Sequence, residues 1–244
     1  EEGVVEEAAA LQQLSRLECF LPYESWQVVP MEDGETGYDV YLKGPYRSTL
    51  ERRLRKGAMT HLAAVNLGLD LCAALTVCRR AGYLYADLKP SNICICDEKE
   101  YRIADLGFIS LDSLNYASLP ERYLSEYTAP EITDAYSALN TTMDVYAAGL
   151  ILYQIFNGGT LPFEGRAPAQ ELSAPAYADG EMAQIILKAV ALEPDARWKD
   201  PLQMGQALVA YLQRNNVNDT PIGPVEEPAP EFLAEEPVEE TPVV

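Results

Sequence analysis

The chain has 244 residues and is 48% hydrophobic, which is enough to bury a substantial core and excludes a wholly disordered protein. Its 38 acidic and 18 basic residues give a formal net charge of −20. This acidic excess argues against a nucleic-acid-binding surface and against an acidic partner, because phosphate groups are bound by clustered Lys and Arg.

The predicted elements begin with a helix over residues 6–17, where leucines recur on one side. Two β-rich runs, 26–29 and 38–42, flank a turn-like acidic segment and predict a hairpin. A short charged helix is predicted over 50–55. A longer helix follows over 61–80, where apolar residues keep helical spacing up to a terminating glycine.

Residues 93–96 and 101–104 predict a second pair of short strands. Residues 144–156 are almost all apolar or small, which predicts a helix buried on every side. Two further helices are predicted over 181–192 and 201–212, the last opened by an aspartate cap and a first-turn proline. This order, a helix and a few strands followed mostly by helices, indicates an unequal, two-lobed α+β fold.

The cysteines and the apolar stretches restrict the class of protein further. Five cysteines and one histidine provide neither an even disulfide framework nor zinc-finger spacing, so we expect a reducing compartment. Cys94 and Cys96 alternate along an apolar run, which favours one face of a strand over a metal site. Asn66 and Asp70 interrupt the longest apolar stretch. A spanning helix needs about 20 mainly apolar residues, so we predict no membrane span in this chain.

Four polar side chains placed around the second strand pair carry chemistry: Asp87, Lys89, Asn92 and Asp105. Phosphoryl transfer requires a carboxylate at the attacking hydroxyl, a cation at the transferred phosphoryl group and oxygen ligands for Mg²⁺. Asp87 can accept the hydroxyl proton, and Lys89 can reach the same site. Asn92 and Asp105 offer the hard oxygens that Mg²⁺ prefers.

A series of sequence motifs follows in one order: 85–92, 105–107, 127–131, 144–149, 161–163 and 193–198. Each motif alone has an ordinary alternative as a turn, a loop or a helix cap. Together they resemble the eukaryotic-type, bacterial-like serine/threonine protein kinase catalytic domain. The Lys-Pro-Ser form of the 85–92 segment is similar to the serine/threonine-specific branch of that family.

The resemblance implies a protein kinase-like fold with a truncated small β lobe and a mainly α-helical large lobe. It implies Asp87 and Lys89 as catalytic residues, and Asn92 and Asp105 as Mg²⁺ ligands. It also implies that Lys89, Asn92 and Asp105 bind ATP, together with Tyr46 in the segment that receives adenine.

The resemblance implies two buried contacts as well. In the family, the arginine matched by Arg197 forms a buried ion pair with the glutamate matched by Glu131. The aspartate matched by Asp144 holds the catalytic loop through backbone N–H groups. Buried charges need such partners because an uncompensated charge is costly.

The sequence departs from the family in several places. Residues 1–244 contain neither the Gly-rich loop nor the strand lysine that clamp ATP, and Glu7 matches the glutamate that pairs with that lysine. We therefore expect the missing parts upstream of Glu1, although Glu7 also fits an ordinary charged helix face. Pro45 lacks an N–H at the hinge. Ala86 replaces the arginine that receives an activating phosphate, and Leu124 replaces a threonine that positions substrate.

The function implied is a serine/threonine protein kinase that transfers the γ-phosphoryl group of ATP to Ser or Thr hydroxyls of a protein, with ATP and Mg²⁺ as cofactors. It would act in cytoplasmic signalling. The chain alone is expected to be inactive or nearly so, because its ATP clamp is incomplete. The alternative is a pseudokinase that acts as a binding or scaffolding module, and a kinase for small molecules is a less favoured third possibility.

The predicted organisation has three parts. Residues 1–46 form the rest of the small lobe, 47–215 form the large lobe, and 216–244 form an acidic, Pro/Glu-rich disordered tail. The tail resembles the linkers that follow bacterial kinase domains, some of which lead into a membrane span; a solvated terminal tail is the alternative that we favour. The expected location is the cytoplasm, with membrane tethering beyond the C-terminus left open.

Overall fold

The computed structural model describes residues 5, 8–9, 12–13, 15–17, 19–31, 37–97, 100–104, 107–114, 117–119, 121–134 and 136–223. The strands are β1 (Ser25–Pro30), β2 (Tyr38–Lys43), β3 (Ser48–Thr49), β4 (Tyr83–Tyr85), β5 (Ile93–Asp97), β6 (Glu100–Ile103) and β7 (Phe108–Ser110). The α-helices are α1 (Leu50–Leu54), α2 (His61–Arg80), α3 (Met143–Phe156), α4 (Gly180–Ala189) and α5 (Pro201–Arg214). Short 3₁₀ turns lie at Pro90–Asn92, Leu111–Ser113, Glu121–Tyr123 and Pro194–Ala196.

The α+β arrangement expected from the sequence is confirmed, with a few strands followed mostly by helices. The hairpin of β1 and β2, the long helix α2 and the pair of β5 and β6 all lie where they were predicted. Of the helix predicted over residues 6–17, the described residues 8–9 and 12–13 are helical, and much of the rest lies outside the described residues.

Three short strands were not predicted. β3 pairs with β5 and so extends the second sheet to three strands, and β4 pairs with β7 in a separate two-stranded sheet. Strands of two or three residues are too short to show an alternating pattern. The predicted helix over 181–192 was too long at its end, since α4 stops at Ala189.

The core is built around α3. Every residue of this helix except Gln154 is buried, as the apolar sequence predicted. Gly149 allows α4 to approach closely, because a Cβ at this position would overlap the Cβ of Ala189. The helix therefore serves as a rigid base for the loops that lie against it.

Helix α2 is long and apolar enough to cross a membrane by length and composition, and it is the one such helix in the described part of the chain. Half of its apolar stretch is buried inside the protein. Its buried residues belong to the same core as those of α3. A core helix of a globular domain meets the same criterion, so this finding is weak support for a membrane span.

The packed structure extends beyond the boundary predicted at residue 216. Ile222 is 4% exposed and donates its backbone N–H to the carbonyl oxygen of Met59 at 2.8 Å. The N–H of His61 in the first turn of α2 donates to the carbonyl oxygen of Thr220 at 2.9 Å. The first N–H groups of a helix have no partner inside it. Residues 216–223 supply such partners despite their polar composition.

The ion pair predicted between Arg197 and Glu131 is present. The Arg197 guanidinium donates two hydrogen bonds of 2.7 Å to the two carboxylate oxygens of Glu131. The Arg197 side chain is fully buried, and that of Glu131 is 22% exposed. Burial alone would raise the pKa of Glu131, but the hydrogen bonds from Arg197 and Asn140 outweigh this effect and the pKa is lowered.

We predict that Arg197→Ala lowers the free energy of unfolding by about 3–5 kcal/mol, because it leaves the Glu131 charge without its partner. Arg214→Ala is the matched control: its pair with Glu181 is largely exposed, and such pairs contribute about 0–1 kcal/mol. Urea unfolding of both variants measures the difference. A double-mutant cycle of Arg197→Ala and Glu131→Ala should be strongly non-additive. Equal small effects of Arg197→Ala and Arg214→Ala would contradict the prediction.

His61 joins three helices through a hydrogen-bonded network. The Tyr211 hydroxyl donates to the Asp179 carboxylate at 2.5 Å and lies 2.9 Å from Nε2 of His61. Because the Tyr211 hydroxyl donates its proton to Asp179, its oxygen can only accept from His61. The Nε2 atom of His61 therefore carries a proton and donates it to Tyr211. The His61 ring also meets Phe156 edge-on at 5.1 Å. Burial lowers the pKa of His61, and the nearby Asp179 charge offsets only part of this shift.

We predict that the contribution of His61 to stability is lost in acid. An imidazole with a lowered pKa in the folded state binds protons more readily when unfolded, so its contribution is complete above about pH 6.5 and declines as the pH falls. Urea unfolding at about pH 7.5 and about pH 5.5 should show a larger acid-induced loss for the wild type than for His61→Gln. This variant removes the chain's single histidine but keeps an N–H donor. Equal losses in both proteins would refute the prediction.

Candidate active site

Three of the predicted site residues meet in the loop between β4 and β5. The Lys89 ammonium group donates to both carboxylate oxygens of Asp87, at 2.7 and 2.9 Å. The Asn92 amide donates to the backbone carbonyl oxygen of Asp87 at 2.9 Å and to its Oδ2 at 2.9 Å. Asp87 is 5% exposed and Asn92 is 7% exposed. The loop therefore holds one buried carboxylate in a fixed orientation beside one cation.

The orientation of Asn92 matters for metal binding. Its amide nitrogen makes both hydrogen bonds to Asp87, so its amide oxygen points away from that residue. This oxygen accepts one long hydrogen bond of 3.5 Å from the Ser91 hydroxyl. An amide oxygen held in this way fits a hard divalent cation. The described residues contain no cluster of three or more His, Cys, Asp or Glu side chains that could hold a metal ion.

The second predicted metal ligand, Asp105, lies outside the described residues, as does Glu7. Tyr46 lies in the segment that leads into β3, and its ring is 74% exposed. Arg52 lies over this ring at 6.0 Å. Pro45 stands beside it and has no N–H to donate. Asp87, Lys89 and Asn92 thus form one cluster, whereas the assignments of Tyr46 and Asp105 stay predictions.

The 85–92 loop is attached to the core helix by one buried carboxylate. Oδ2 of Asp144, in the first turn of α3, accepts the backbone N–H of Tyr85 at 2.9 Å. This contact confirms the role expected for Asp144. Burial raises the pKa of Asp144 to about 8, although the Tyr85 N–H and the charge of Arg79 both act to lower it. The loop is thereby fixed at its start, two residues before Asp87.

Tyr85 also links the loop to the segment that carries Asp105. Its hydroxyl donates to the backbone carbonyl oxygen of Ala104 at 2.7 Å, and its side chain is fully buried. The ring packs against Phe108 at 5.6 Å between centroids. A tyrosine between two apolar residues gave no signal for this bond, because its acceptor is a backbone atom.

Gly107 brings the same segment into direct contact with Asp87. A Cβ at Gly107 would lie 2.8 Å from the Cβ of Asp87 and 3.0 Å from its backbone nitrogen. The carbonyl oxygen of Gly107 accepts the N–H of Ala86 at 2.9 Å. Only a residue without a side chain allows this approach, so glycine here sets the distance between the two loops.

A cleft of about 540 Å³ opens beside Lys89. Part of its wall is formed by Glu51 and Leu54 of α1 and by Arg55, the residue after this helix. Residues 124–127 also form part of the wall, and the Tyr127 hydroxyl donates to Gln154 at 2.7 Å. Leu124 is part of this wall in place of the threonine expected from the family. Of the cluster described above, Lys89 lines this cleft.

Comparison with known proteins places these features in a family. A model of the protein kinase domain matches residues 30–219. Serine/threonine-protein kinase PknL of Mycobacterium tuberculosis is 28% identical over 179 residues, which cover 67% of this chain and 44% of that protein. Serine/threonine-protein kinase PknB of the same species is 28% identical over 170 residues, which cover 63% of this chain and 27% of that protein. The chain therefore spans less than half the length of these curated relatives.

We predict that Gly107→Ala lowers the free energy of unfolding by about 1–3 kcal/mol, because the added methyl group overlaps the backbone of Asp87 and one loop must move. Gly180→Ala is the matched control, since a Cβ at Gly180 meets no atom of the described residues within 4 Å. Urea unfolding compares the two variants. If Gly107→Ala were as stable as Gly180→Ala, the close contact between Gly107 and Asp87 would not exist in solution.

Proposed function

The chain belongs to the protein kinase domain family, and from this premise we propose that it is the catalytic part of a serine/threonine protein kinase. It would transfer the γ-phosphoryl group of ATP to a Ser or Thr hydroxyl of a protein substrate. The observation that carries the proposal is the buried cluster of Asp87, Lys89 and Asn92. The serine/threonine specificity is supported by the similarity to the serine/threonine-protein kinases PknL and PknB.

The side chains of the cluster suit the individual roles. The Asp87 carboxylate is held in place by Lys89 and Asn92. It would orient the substrate hydroxyl group and accept its proton. Lys89, at 2.7 Å from Asp87, places a positive charge where the transferred phosphoryl group would carry negative charge. Both residues lie on a loop fixed to α3 through Tyr85, so little rearrangement is needed to align them.

ATP and Mg²⁺ are the cofactors that this site would use. The amide oxygen of Asn92 would hold the metal ion together with Asp105, and Lys89 would contact the phosphate. When bound, Mg²⁺ neutralises the phosphate charge and polarises the transferred group. Tyr46 would lie at the adenine end of the site. Because residues 1–244 contain neither the Gly-rich loop nor the ATP-clamping strand lysine of the family, we propose that the chain alone is inactive or nearly so.

The remaining assignments are proposals that rest on composition and packing. The lobe boundary near residue 46 is supported by the hairpin of β1 and β2, which pairs separately from the other strands. A reducing, cytoplasmic location is supported by Cys72, Cys78, Cys94 and Cys96, which are free thiols. A role in signalling would follow from protein phosphorylation.

A pseudokinase that acts as a scaffold is the second candidate function. The observation in its favour is Pro45, which removes an N–H donor at the hinge position where the family receives adenine. The two functions differ in nucleotide binding and turnover. A scaffold would keep the fold with neither property, whereas a kinase needs both.

We predict that Asp87→Asn lowers phosphoryl transfer by about 10²–10⁴-fold, because the amide cannot accept the hydroxyl proton. The expected change in nucleotide affinity is small, since Asp87 faces the attacking hydroxyl. Asp112→Asn is the matched control, because Asp112 is exposed and distant in sequence from the loop. Incorporation of labelled phosphate into a general protein substrate, measured in the intact gene product, gives turnover, and calorimetric titration with ATP and Mg²⁺ gives affinity.

Two outcomes would oppose the proposal. Turnover of Asp87→Asn near that of Asp112→Asn would show that Asp87 is not the catalytic carboxylate. An intact protein that neither binds ATP nor incorporates phosphate would favour the scaffold.

A further inference from the structure

Helix α1 and the residues beside it carry the densest positive charge in the chain. Residues 47–56 contain five of the 18 basic residues and one acidic residue, in a protein of net charge −20. Four of the five side chains are exposed and Arg53 is partly buried. We refer to these five as the α1 basic surface: Arg47, Arg52, Arg53, Arg55 and Lys56.

Little of this charge is neutralised by neighbouring groups. Arg55 pairs with Glu51 at 2.9 Å, but both side chains are substantially exposed, so the pair is weak. Arg53 donates to the backbone carbonyl oxygens of Gly57 and Ala58 at 3.1 and 3.0 Å, which leaves its charge in place. No other ion pair to the α1 basic surface occurs within the described ranges. The surface therefore remains strongly positive.

A segment of opposite charge begins beside this surface. Residues 224–244, which lie outside the described residues and which we call the acidic segment, contain seven glutamates and no basic residue. The chain reaches this segment at Ile222, whose N–H donates to Met59 at 2.8 Å. Met59 lies three residues beyond Lys56. The last described residues before the acidic segment are thus bonded to the chain a few residues beyond α1.

The segment is long enough to cover the surface. Its 21 residues can span at most about 70 Å when fully extended, whereas α1 is about 8 Å long. Tethering raises the effective concentration of such a segment into the millimolar range. Opposite charges at this range attract each other, and dissolved salt screens the attraction.

We propose that the acidic segment docks on the α1 basic surface of its own chain. Glu51 and Leu54 of this helix and the adjacent Arg55 line the cleft beside Lys89, so the docking surface borders that cleft. The net charge of the whole chain conceals this possibility, because an acidic excess argues against an acidic partner.

The proposal is tested by binding in trans. The probe is a fluorescently labelled peptide with the sequence of residues 224–244, and its anisotropy is measured with the full chain at about 20 mM salt. The comparison protein is a tail-neutral variant of the full chain with Gln in place of Glu226, Glu227, Glu231, Glu235, Glu236, Glu239 and Glu240. We expect the tail-neutral variant to bind the peptide about tenfold more tightly than the wild type, whose own segment occupies the surface. Raising the salt to about 200 mM should abolish most of this binding.

A pair of charge variants in the tail-neutral background locates the surface. Arg52→Gln with Lys56→Gln should weaken peptide binding about tenfold. Arg80→Gln with Lys199→Gln removes two exposed positive charges elsewhere and should leave binding unchanged. Equal losses in both double variants would overturn the proposal, because the peptide would then sense only the overall charge. Equal peptide binding by the wild type and the tail-neutral variant would overturn it too. The measurement uses neither ATP nor Mg²⁺, so its failure would leave the proposed function unaffected.

Discussion

The hydrogen bond from the Tyr85 N–H to the Asp144 carboxylate connects the core of the protein to its chemistry. Helix α3 is buried on nearly every side and cannot shift without disturbing the whole core. A carboxylate at its start fixes the loop that carries Asp87. Burial raises the pKa of Asp144, because a charged carboxyl group is costly to remove from water. The hydrogen bond from the Tyr85 N–H offsets part of the cost of burying Asp144 and orders the loop. This explains why a polar side chain begins an otherwise apolar helix.

Tyr85 also fixes the next loop, which contains Ala104 and Gly107. The Tyr85 hydroxyl holds the carbonyl oxygen of Ala104, and the pairing of β4 with β7 holds the residues that follow. Gly107 then lies against the backbone of Asp87 at a distance that no larger residue would allow. The separation between the two loops is thus set by backbone contacts and by one tyrosine. These rigid supports fix the position of Asp87 relative to Gly107.

The sequence predicted most of the long elements and the buried charges, and the reasons are physical. Helix α3 is composed almost entirely of apolar or small residues. In α2 the apolar residues recur at helical spacing, and a glycine follows the end of the helix. The contact between Arg197 and Glu131 followed from a family resemblance, since residues 66 positions apart carry no local signal of contact. The short strands, the bond from the Tyr85 hydroxyl and the contact at Gly107 could not be predicted, because each depends on backbone atoms brought together only by the fold. The roles of Asp105 and Tyr46 stay predictions.

The charge distribution shows why a net value describes a surface poorly. The acidic excess of the chain includes seven glutamates beyond residue 223, whereas residues 47–56 are strongly basic. At physiological salt, charges separated by more than about 8 Å are largely screened, so a partner senses the local surface rather than the sum. The cleft itself is lined by charges of both signs, since Arg55 and Lys89 lie there together with Glu51 and Glu126.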